Sequence, residues 1–344
     1  MSICNTRSPW IESQLESLLA RRGHAWLLEG PSGLGQFDLG LSLVQAWLCE
    51  QHTPRGACGQ CQSCHLVETH AHPDLAVLMP ETVMLERGWP LPEKAQKEID
   101  DKSRKPSKEI RVEAMRETVG FAQRTSARGR GLAVLLYPAE RMNPVAANAL
   151  LKTLEEPAGD TRFVLASEVT HQLLPTIRSR CQRHAMHWPT PEQAIPWLQD
   201  QAMAAGLPVP AAELINTWLQ AAGGRPQDAL AWAQLGLNTQ TWSGLPAALA
   251  RGDWAVMVNW PVTRQLDVLQ KFCHDLMAHA SGARTRYFPA DTLPPPPGLR
   301  RLSHWSRELM QAARSVEHPF SLPLMQQAWS TRAQQIMASR VPGR

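Results

Sequence analysis

Four short apolar runs in the first half of the chain constrain its fold more than any other feature of the sequence. They are HAWLLEG at 24–30, DLAVLM at 74–79, GLAVLLY at 131–137 and RFVLAS at 162–167. Each run is long enough for a buried strand and too short for most helices. Because stretches of helical periodicity lie between them, as at 109–124 and 144–156, the pattern predicts an α/β domain with a parallel sheet covered on both faces.

The second half of the chain has a different pattern. After about residue 187, apolar residues recur only at helical spacing, and many tryptophans occupy those positions. The spacing predicts amphipathic helices whose tryptophans pack in a core rather than stack on bases. We therefore predict an α/β domain at 1–186 followed by two all-helical domains, at 187–240 and 241–344.

One segment of the predicted α/β domain lacks a clear period. Residues 81–108 carry many charges and three prolines, Pro90, Pro92 and Pro106. Such a composition is typical of solvated chain. We expect an exposed and mobile insertion there.

Composition excludes several classes of protein. With 43% hydrophobic and 19% charged residues among 344, the chain is expected to be soluble and globular. The net charge of +4 permits contact with nucleic acid but does not argue for it. No apolar run is long enough for a membrane span, and the N-terminal residues do not resemble a secretory signal. The expected location is the cytoplasm, with no membrane partner.

Four of the seven cysteines form a spacing typical of metal sites. Cys49, Cys58, Cys61 and Cys64 follow the pattern C-x8-C-x2-C-x2-C, which can place four thiolates around one tetrahedral ion. A structural Zn²⁺ in a module at about 49–64 is the prediction, and an iron–sulfur cluster or free thiols are the alternatives. Four thiolate ligands would leave no open position for catalysis. The nearby His65, His70 and His72 are expected beside the site or on the surface, not as ligands.

The stretch GPSGLGQF at 30–37 resembles a phosphate-binding loop without its functional side chains. Gly30 and Gly35 keep the glycine spacing of G-x-x-x-x-G-K-[ST]. Gln36 stands where the lysine would neutralise phosphate, and Phe37 stands where a hydroxyl would bind Mg²⁺. Asp38 adds a negative charge in the first helical turn. The loop is therefore predicted not to bind ATP.

The third apolar run leads to the same prediction. In ATPases of this type the equivalent strand ends in Asp-Glu, which hold Mg²⁺ and polarise water. Here Tyr137 and Pro138 occupy those places, and Glu140 comes three residues late. We therefore expect the chain to have no ATPase activity of its own.

Two further stretches show a family resemblance. ANALLKTLEEPAGDTRFVLAS at 147–167 and TIRSRC at 176–181 closely resemble the bacterial clamp-loader family of AAA+ proteins, and thiols spaced as here are typical of its zinc-bearing members. The resemblance is specific over about 23–181. It implies a RecA-like AAA+ domain with a zinc-bearing insertion, a helical lid at 187–240 and a helical collar for oligomerisation at 241–344. Within the family, the degenerate loop is similar to that of members that do not hydrolyse ATP.

The resemblance also implies a role and partners. Clamp loaders place the sliding clamp on primed DNA as part of the DNA polymerase III holoenzyme, so the implied partners are the ATPase (gamma/tau) and delta subunits, with transient contact to clamp and DNA through the complex. In this family an S-R-C motif, here Ser179-Arg180-Cys181, presents its arginine to ATP in a neighbouring subunit. A planar, permanently charged guanidinium suits that task. Arg178 is the competing candidate.

Two other functions are alternatives. The chain could be an active AAA+ ATPase subunit of the same loader, but Gln36, Phe37 and Tyr137 argue against that. It could be a zinc-dependent DNA-binding protein, for which a dense basic stripe with interleaved aromatic residues would be the expected sign. The sequence shows no such stripe.

Overall fold

The computed structural model describes residues 8–316 and 321–338. The chain divides after Gln193 into two compact units, Met1–Gln193 and Ala194–Arg344. The first seven and last six residues of the predicted domains lie outside the described residues. Within the described ranges, none of the helices has the length and apolar character needed to cross a bilayer.

A five-stranded sheet forms the centre of the first unit. Its strands are β1 (Ala25–Glu29), β2 (Leu75–Leu78), β3 (Leu132–Leu136), β4 (Thr161–Ser167) and β5 (Gln182–Ala185). Their spatial order is β2-β3-β4-β1-β5 and every pairing is parallel. The first four strands coincide with the four apolar runs, so the predicted parallel α/β sheet is confirmed. The edge strand β5 buries only His184, which explains why no apolar run marks it.

Helices cover the sheet and fill the connections between strands. Those of the first unit are α1 (Pro9–Leu19), α2 (Gln36–Leu48), α3 (Gln62–Glu68), α4 (Glu81–Glu86), α5 (Glu93–Asp100), α6 (Val112–Phe121), α7 (Pro144–Glu155) and α8 (Pro175–Arg178). Helix α7 begins after Asn143, whose side chain accepts a hydrogen bond from the Ala146 N–H, and Pro144 takes the first helical position, where its missing N–H costs nothing. Leu150 and Leu154 then pack in the core below the sheet.

The charged insertion is more ordered in structure than its sequence suggests. It contains α4 and α5, and Glu81, Met84 and Ala95 are buried. The Glu81 carboxylate accepts two hydrogen bonds from the Arg104 guanidinium, at 2.5 and 2.8 Å, and one from the Ser107 N–H at 2.8 Å. The prediction of an exposed insertion is therefore wrong for these residues, because bonds between residues more than twenty positions apart leave no periodic pattern. Mobility of the segment stays a prediction.

The second unit is all helical, as predicted. Helix α9 (Pro191–Ala204) begins three residues before the division and continues into this unit. The other helices of the unit are α10 (Ala212–Ala221), α11 (Pro226–Gln234), α12 (Thr239–Ala250), α13 (Val262–Ala280), α14 (Leu299–Ser315) and α15 (Leu322–Ala338). Trp218, Trp232, Trp242 and Trp305 are buried in one core, where the Trp242 ring stacks on Phe288 with centroids 4.5 Å apart. Core packing of these tryptophans is confirmed. The division into lid and collar domains at residue 240 stays a prediction, since one core extends to both sides of it.

A buried carboxylate fixes the turn that follows α13. Asp275 is completely buried and accepts backbone hydrogen bonds from Arg286 at 3.0 Å, Tyr287 at 2.7 Å and Phe288 at 2.8 Å. These bonds place Phe288 against Trp242 in the core. The aromatic core of the second unit therefore depends on one acidic side chain.

We expect Asp275→Ala to lower the free energy of unfolding of the second unit by about 3 kcal/mol or more, because one buried and two partly buried N–H groups lose their acceptor. Urea unfolding followed by tryptophan fluorescence measures the loss. The matched control is Asp291→Ala, at an exposed aspartate, which should change stability by less than about 0.5 kcal/mol. A loss below about 1 kcal/mol in Asp275→Ala would contradict this role.

Candidate functional site

The loop between β1 and α2 has the backbone of a phosphate-binding loop. Gly35, the residue before α2, has φ 91°, in the left-handed region that glycine adopts without strain. At Gly30 an added Cβ would lie 2.9 Å from the Cβ of Met186, so a side chain does not fit there without rearrangement. Both glycines of the sequence motif are thus required by the local geometry.

The side chain in the lysine position closes this loop on itself. Gln36 is buried, and its Nε2 donates to the carbonyl oxygens of Gly30 at 2.7 Å and Pro31 at 2.8 Å. A phosphate-binding lysine has to extend towards the ligand as a free cation. The Gln36 amide instead donates to two carbonyl oxygens of the loop, and the side chain carries no charge.

Four side chains form a compact group over the start of α2, here called the aromatic–arginine cluster: Phe37, Arg87, Trp89 and Tyr137. The Phe37 ring lies 5.3 Å from the Tyr137 ring and 6.1 Å from the Trp89 ring, between centroids. The Arg87 guanidinium lies over both the Phe37 ring, at 4.3 Å, and the Tyr137 ring, at 4.9 Å. The residues at the hydroxyl and Asp-Glu positions of the motif are thus packed against each other and against a cation.

Polar contacts hold the cluster in place. The Tyr137 hydroxyl donates to Glu168 Oε1 at 2.6 Å and accepts from Arg87 Nη2 at 3.4 Å. Arg87 Nη1 also lies 3.9 Å from Asp38 Oδ1. Burial, reinforced by the Glu168 charge, raises the pKa of the Tyr137 phenol, so this group stays neutral near pH 7. The Glu140 carboxylate accepts from the Glu168 N–H at 3.1 Å and is engaged in the loop after β4.

The four predicted cysteine ligands converge on one point between α2 and α3. Their sulfur atoms all lie within 4.8 Å of one another, with separations of 3.4 Å for Cys61–Cys64, 3.8 Å for Cys49–Cys61 and 3.9 Å for Cys58–Cys64. A tetrahedral ion with metal–sulfur bonds of ~2.3 Å requires sulfur separations of ~3.8 Å. The arrangement therefore fits one tetrahedral metal ion.

Backbone groups prepare these sulfurs to act as thiolates. The N–H groups of Gln51 and Cys58 point to Cys49 Sγ at 3.4 and 3.3 Å, and the Cys64 N–H points to Cys61 Sγ at 3.4 Å. The Gln60 N–H lowers the pKa of Cys58 to about 6, whereas burial raises the pKa of Cys49 and of Cys64. Two buried thiols that resist ionisation next to two more sulfurs are suited to a cation that stabilises their charge.

An arginine attaches the cysteine module to the sheet. Arg128, just before β3, donates to Glu50 Oε1 at 2.6 Å, to Ser63 Oγ at 2.9 Å and to Gln62 Oε1 at 2.9 Å. Asp74, at the start of β2, holds the same loop through the Arg128 N–H at 2.9 Å. The residues next to three of the cysteines are thus tied to the entry of the central strands.

The predicted arginine finger lies at the surface after α8. Arg180 is ion-paired with Glu155, with Nε 2.6 Å from Oε1, and donates from Nη1 to the Thr176 carbonyl at 2.8 Å. Its side chain remains 30% exposed. The Nε of Arg178, by contrast, is buried. Ser179 is exposed, and its hydroxyl donates to the Thr176 carbonyl at 3.1 Å.

Comparison with known proteins identifies the family. A family model described as "DNA polymerase III, delta subunit" matches residues 11–189. Over 284 residues the chain is 30% identical to DNA polymerase III subunit delta' of Escherichia coli K12, covering 76% of both proteins. The chain belongs to the DNA polymerase III subunit delta' family. The delta' subunit of Pseudomonas aeruginosa PAO1 is 38% identical over 220 residues, which cover 63% of this chain and 58% of that protein.

Among solved structures, a DNA polymerase III gamma subunit-related protein of Thermotoga maritima matches with a TM-score of 0.40 and 17% identity, covering 95% of this chain and 92% of that one. The family assignment of this delta' homologue rests on the sequence matches.

The structure of this delta' family member also brings residues to the candidate sites that the sequence did not predict. Arg87 and Trp89 come from the insertion at 81–108, whose composition gave no sign of a contact with the loop between β1 and α2. Glu155, the partner of Arg180, lies inside the family motif at 147–167, and the motif gives no sign of this ion pair. Glu168 could have been found, because it follows β4 next to β3 and the carboxyl ends of neighbouring parallel strands meet at one edge.

Proposed function

We propose that this chain is a non-hydrolysing subunit of the replicative clamp loader within the DNA polymerase III holoenzyme, acting beside ATPase (gamma/tau) and delta subunits to load the sliding clamp on primed DNA. The observation that carries the proposal is the aromatic–arginine cluster over the start of α2. It occupies the nucleotide loop of a chain that belongs to the delta' family. The cluster removes nucleotide chemistry from this subunit and leaves it a structural role and a role in trans.

Several features of the cluster and of the adjoining residues Gln36 and Asp38 oppose Mg·ATP binding. Phe37 offers no oxygen to a metal ion, and Mg²⁺ requires near-octahedral oxygen ligands. The Arg87 cation, 4.3 Å from the Phe37 ring, would repel Mg²⁺, and Asp38 would repel the phosphates. Gln36 contributes no compensating charge. Each loss weakens nucleotide affinity, and all of them act on the same few ångströms of the loop.

We therefore expect the isolated full-length chain to show no micromolar binding of Mg·ATP, because the loop lacks a cation directed at phosphate and a metal ligand. Isothermal titration calorimetry measures it, with an ATPase subunit of the same loader as the positive control. A dissociation constant in the micromolar range for the wild-type chain would contradict the proposal that the loop is inactive.

Arg180 is proposed as an arginine finger for ATP bound by the neighbouring subunit. It is exposed enough to be reached, and its fork is already oriented by Glu155 and the Thr176 carbonyl. An exposed ion pair of this kind contributes only about 0–1 kcal/mol to stability, so it can be exchanged for a phosphate at low cost. Arg178 is the weaker candidate, because its Nε is buried.

Arg180→Ala should lower DNA- and clamp-stimulated ATP hydrolysis by the reconstituted loader while leaving assembly intact. A finger in trans is worth about 10³–10⁵ in rate where chemistry limits turnover, and the overall loss should be smaller because only one ATP site is affected. Arg180→Lys should rescue poorly, since an ammonium lacks the bidentate fork. Steady-state phosphate release by loaders of matched subunit content is the measurement.

Two control variants separate a finger from a structural arginine. Glu155→Gln breaks the same ion pair but keeps Arg180, so it should preserve stimulated hydrolysis. Equal losses in Glu155→Gln and Arg180→Ala would show that the ion pair matters and not the finger. Arg178→Ala should have little effect; if it abolishes hydrolysis while Arg180→Ala is silent, the assignment of the finger is wrong.

We further propose Zn²⁺ as the ion of the cysteine module, in a structural role. Four thiolates are typical of structural zinc and leave no position for water. Arg128 ties the module to the sheet through Glu50 and Ser63. The ion would therefore stabilise the folded module beside the sheet and would take no part in a reaction.

Protein purified without chelators should contain one zinc per chain by elemental analysis. Cys64→Ser should lose it, because three sulfurs cannot close the tetrahedron, whereas Cys181→Ser, at a buried cysteine outside the cluster, should retain it. Structural zinc in small peptides binds with about 10–16 kcal/mol. The surrounding core should keep the sheet folded after metal loss. Iron with a visible absorption band instead of zinc would establish the cluster alternative.

A further inference from the structure

The first unit has a second concave site, at the edge of the sheet opposite the nucleotide loop. A cleft of about 830 Å³ opens there between the end of α1, the loop at 52–54 and the segments that lead into β1, β3 and β4. Four arginines line it: Arg21, Arg22, Arg130 and Arg162. They come from three distant parts of the sequence, so no basic stripe is visible in the chain itself.

The residues that line the cleft carry an excess of positive charge. Only Glu16 and Asp160 oppose the four arginines among the lining residues, and Glu16 lies 3.8 Å from the guanidinium of a fifth arginine, Arg55. In the described part of the chain, none of the four lining arginines forms an ion pair. Five cations against two carboxylates is a local excess of three, in a chain whose net charge is +4.

Two of the four arginines lie over indole rings, which do not neutralise their charge. The Arg162 guanidinium lies over the Trp47 ring at 5.4 Å, and that of Arg21 lies over the Trp26 ring at 4.6 Å. Stacking on an aromatic face orients a guanidinium and leaves its N–H edge available to an acceptor. Trp47 is itself partly exposed and offers an edge of aromatic surface in the cleft.

The backbone segments that lead into β3 and β4 approach each other closely. Gly131 has φ 80°, and a Cβ there would lie 2.3 Å from the Asp160 carbonyl oxygen. Only glycine permits this close contact between the two backbones. Strands β3 and β4 pair directly after it, with Ala133 beside Arg162. Arg162 lies in β4, and Arg130 lies in the bend just before β3, where its guanidinium also donates to the Glu50 carbonyl. The sheet thus fixes the position of Arg162, which suits a site with fixed geometry.

We propose that this cleft binds the phosphate backbone of single-stranded DNA. Arginine forks match phosphate oxygens, and a basic groove with aromatic surface is the usual construction of single-strand sites. A concave cleft admits one strand, whereas proteins that read duplex DNA insert a protruding helix or ribbon into its groove. The site gives this subunit a direct contact with DNA that is independent of the proposed role of Arg180.

Salt dependence of binding tests the proposal on the full-length chain without ATP or partners. Fluorescence anisotropy of a labelled oligothymidylate, titrated from about 50 mM to 200 mM salt, gives the slope of log affinity against log salt. Arg22→Ala/Arg162→Ala should weaken binding and lower the magnitude of the slope by about 1.4, since each single-strand phosphate contact contributes about 0.7. Arg22→Lys/Arg162→Lys should keep the slope.

The matched control is Arg251→Ala/Arg300→Ala, which removes the same charge from exposed positions of the second unit and should leave the slope unchanged. If the double variant loses its zinc or shows an altered circular dichroism spectrum, the salt slope is measured instead on Arg22→Ala alone, which changes an exposed side chain. Absence of binding at about 50 mM salt, equal weakening in the control, tighter binding of a duplex of the same length, or equal competition by oligoglutamate would each overturn the proposal. A failed Arg180 test with this result intact would leave the cleft assignment standing.

Discussion

Parallel pairing of β1, β3 and β4 decides where the functional groups of the first unit lie. All strands run in one direction, so the loops that follow them gather at one edge of the sheet and the segments that precede them gather at the other. The register sets Glu29 beside Ser167 and Leu136 beside Leu165. The nucleotide loop, Tyr137 and Glu168 therefore meet at the carboxyl edge, while the arginines of the cleft meet at the amino edge.

At the carboxyl edge the loop between β1 and α2 keeps the glycine backbone of a phosphate-binding loop, while other side chains pack around it. The glycines that shape the loop are still required by the local backbone, as at Gly35. The polar side chains are replaced by Phe37 and Tyr137, whose burial adds apolar area to the unit. Arg87 supplies a cation that is fixed by two rings and by Asp38. Packed side chains therefore surround the loop between β1 and α2.

The sequence allowed the parallel sheet, the helical second unit and the convergence of the four cysteines to be predicted, because each depends on a local period or spacing. Residues that act across long separations were missed. Glu81 is buried through Arg104, and Arg87 reaches Phe37 from the insertion, and neither contact leaves a pattern in the chain. The basic cleft was missed for the same reason: Arg22 and Arg162 are 140 positions apart, and only strand order brings them together.

The loop at 52–54 belongs to two sites at once. It runs between Cys49 and Cys58, the first two sulfurs of the metal cluster, and it also forms a wall of the arginine cleft. Two ligands that share a structural element influence each other's affinity by the same factor in both directions. A bound ion that fixes this loop would favour occupancy of the cleft, and a strand in the cleft would raise the affinity for the ion by the same factor. Metal content would then report on DNA contact, through a thermodynamic linkage that requires neither ATP nor a neighbouring subunit.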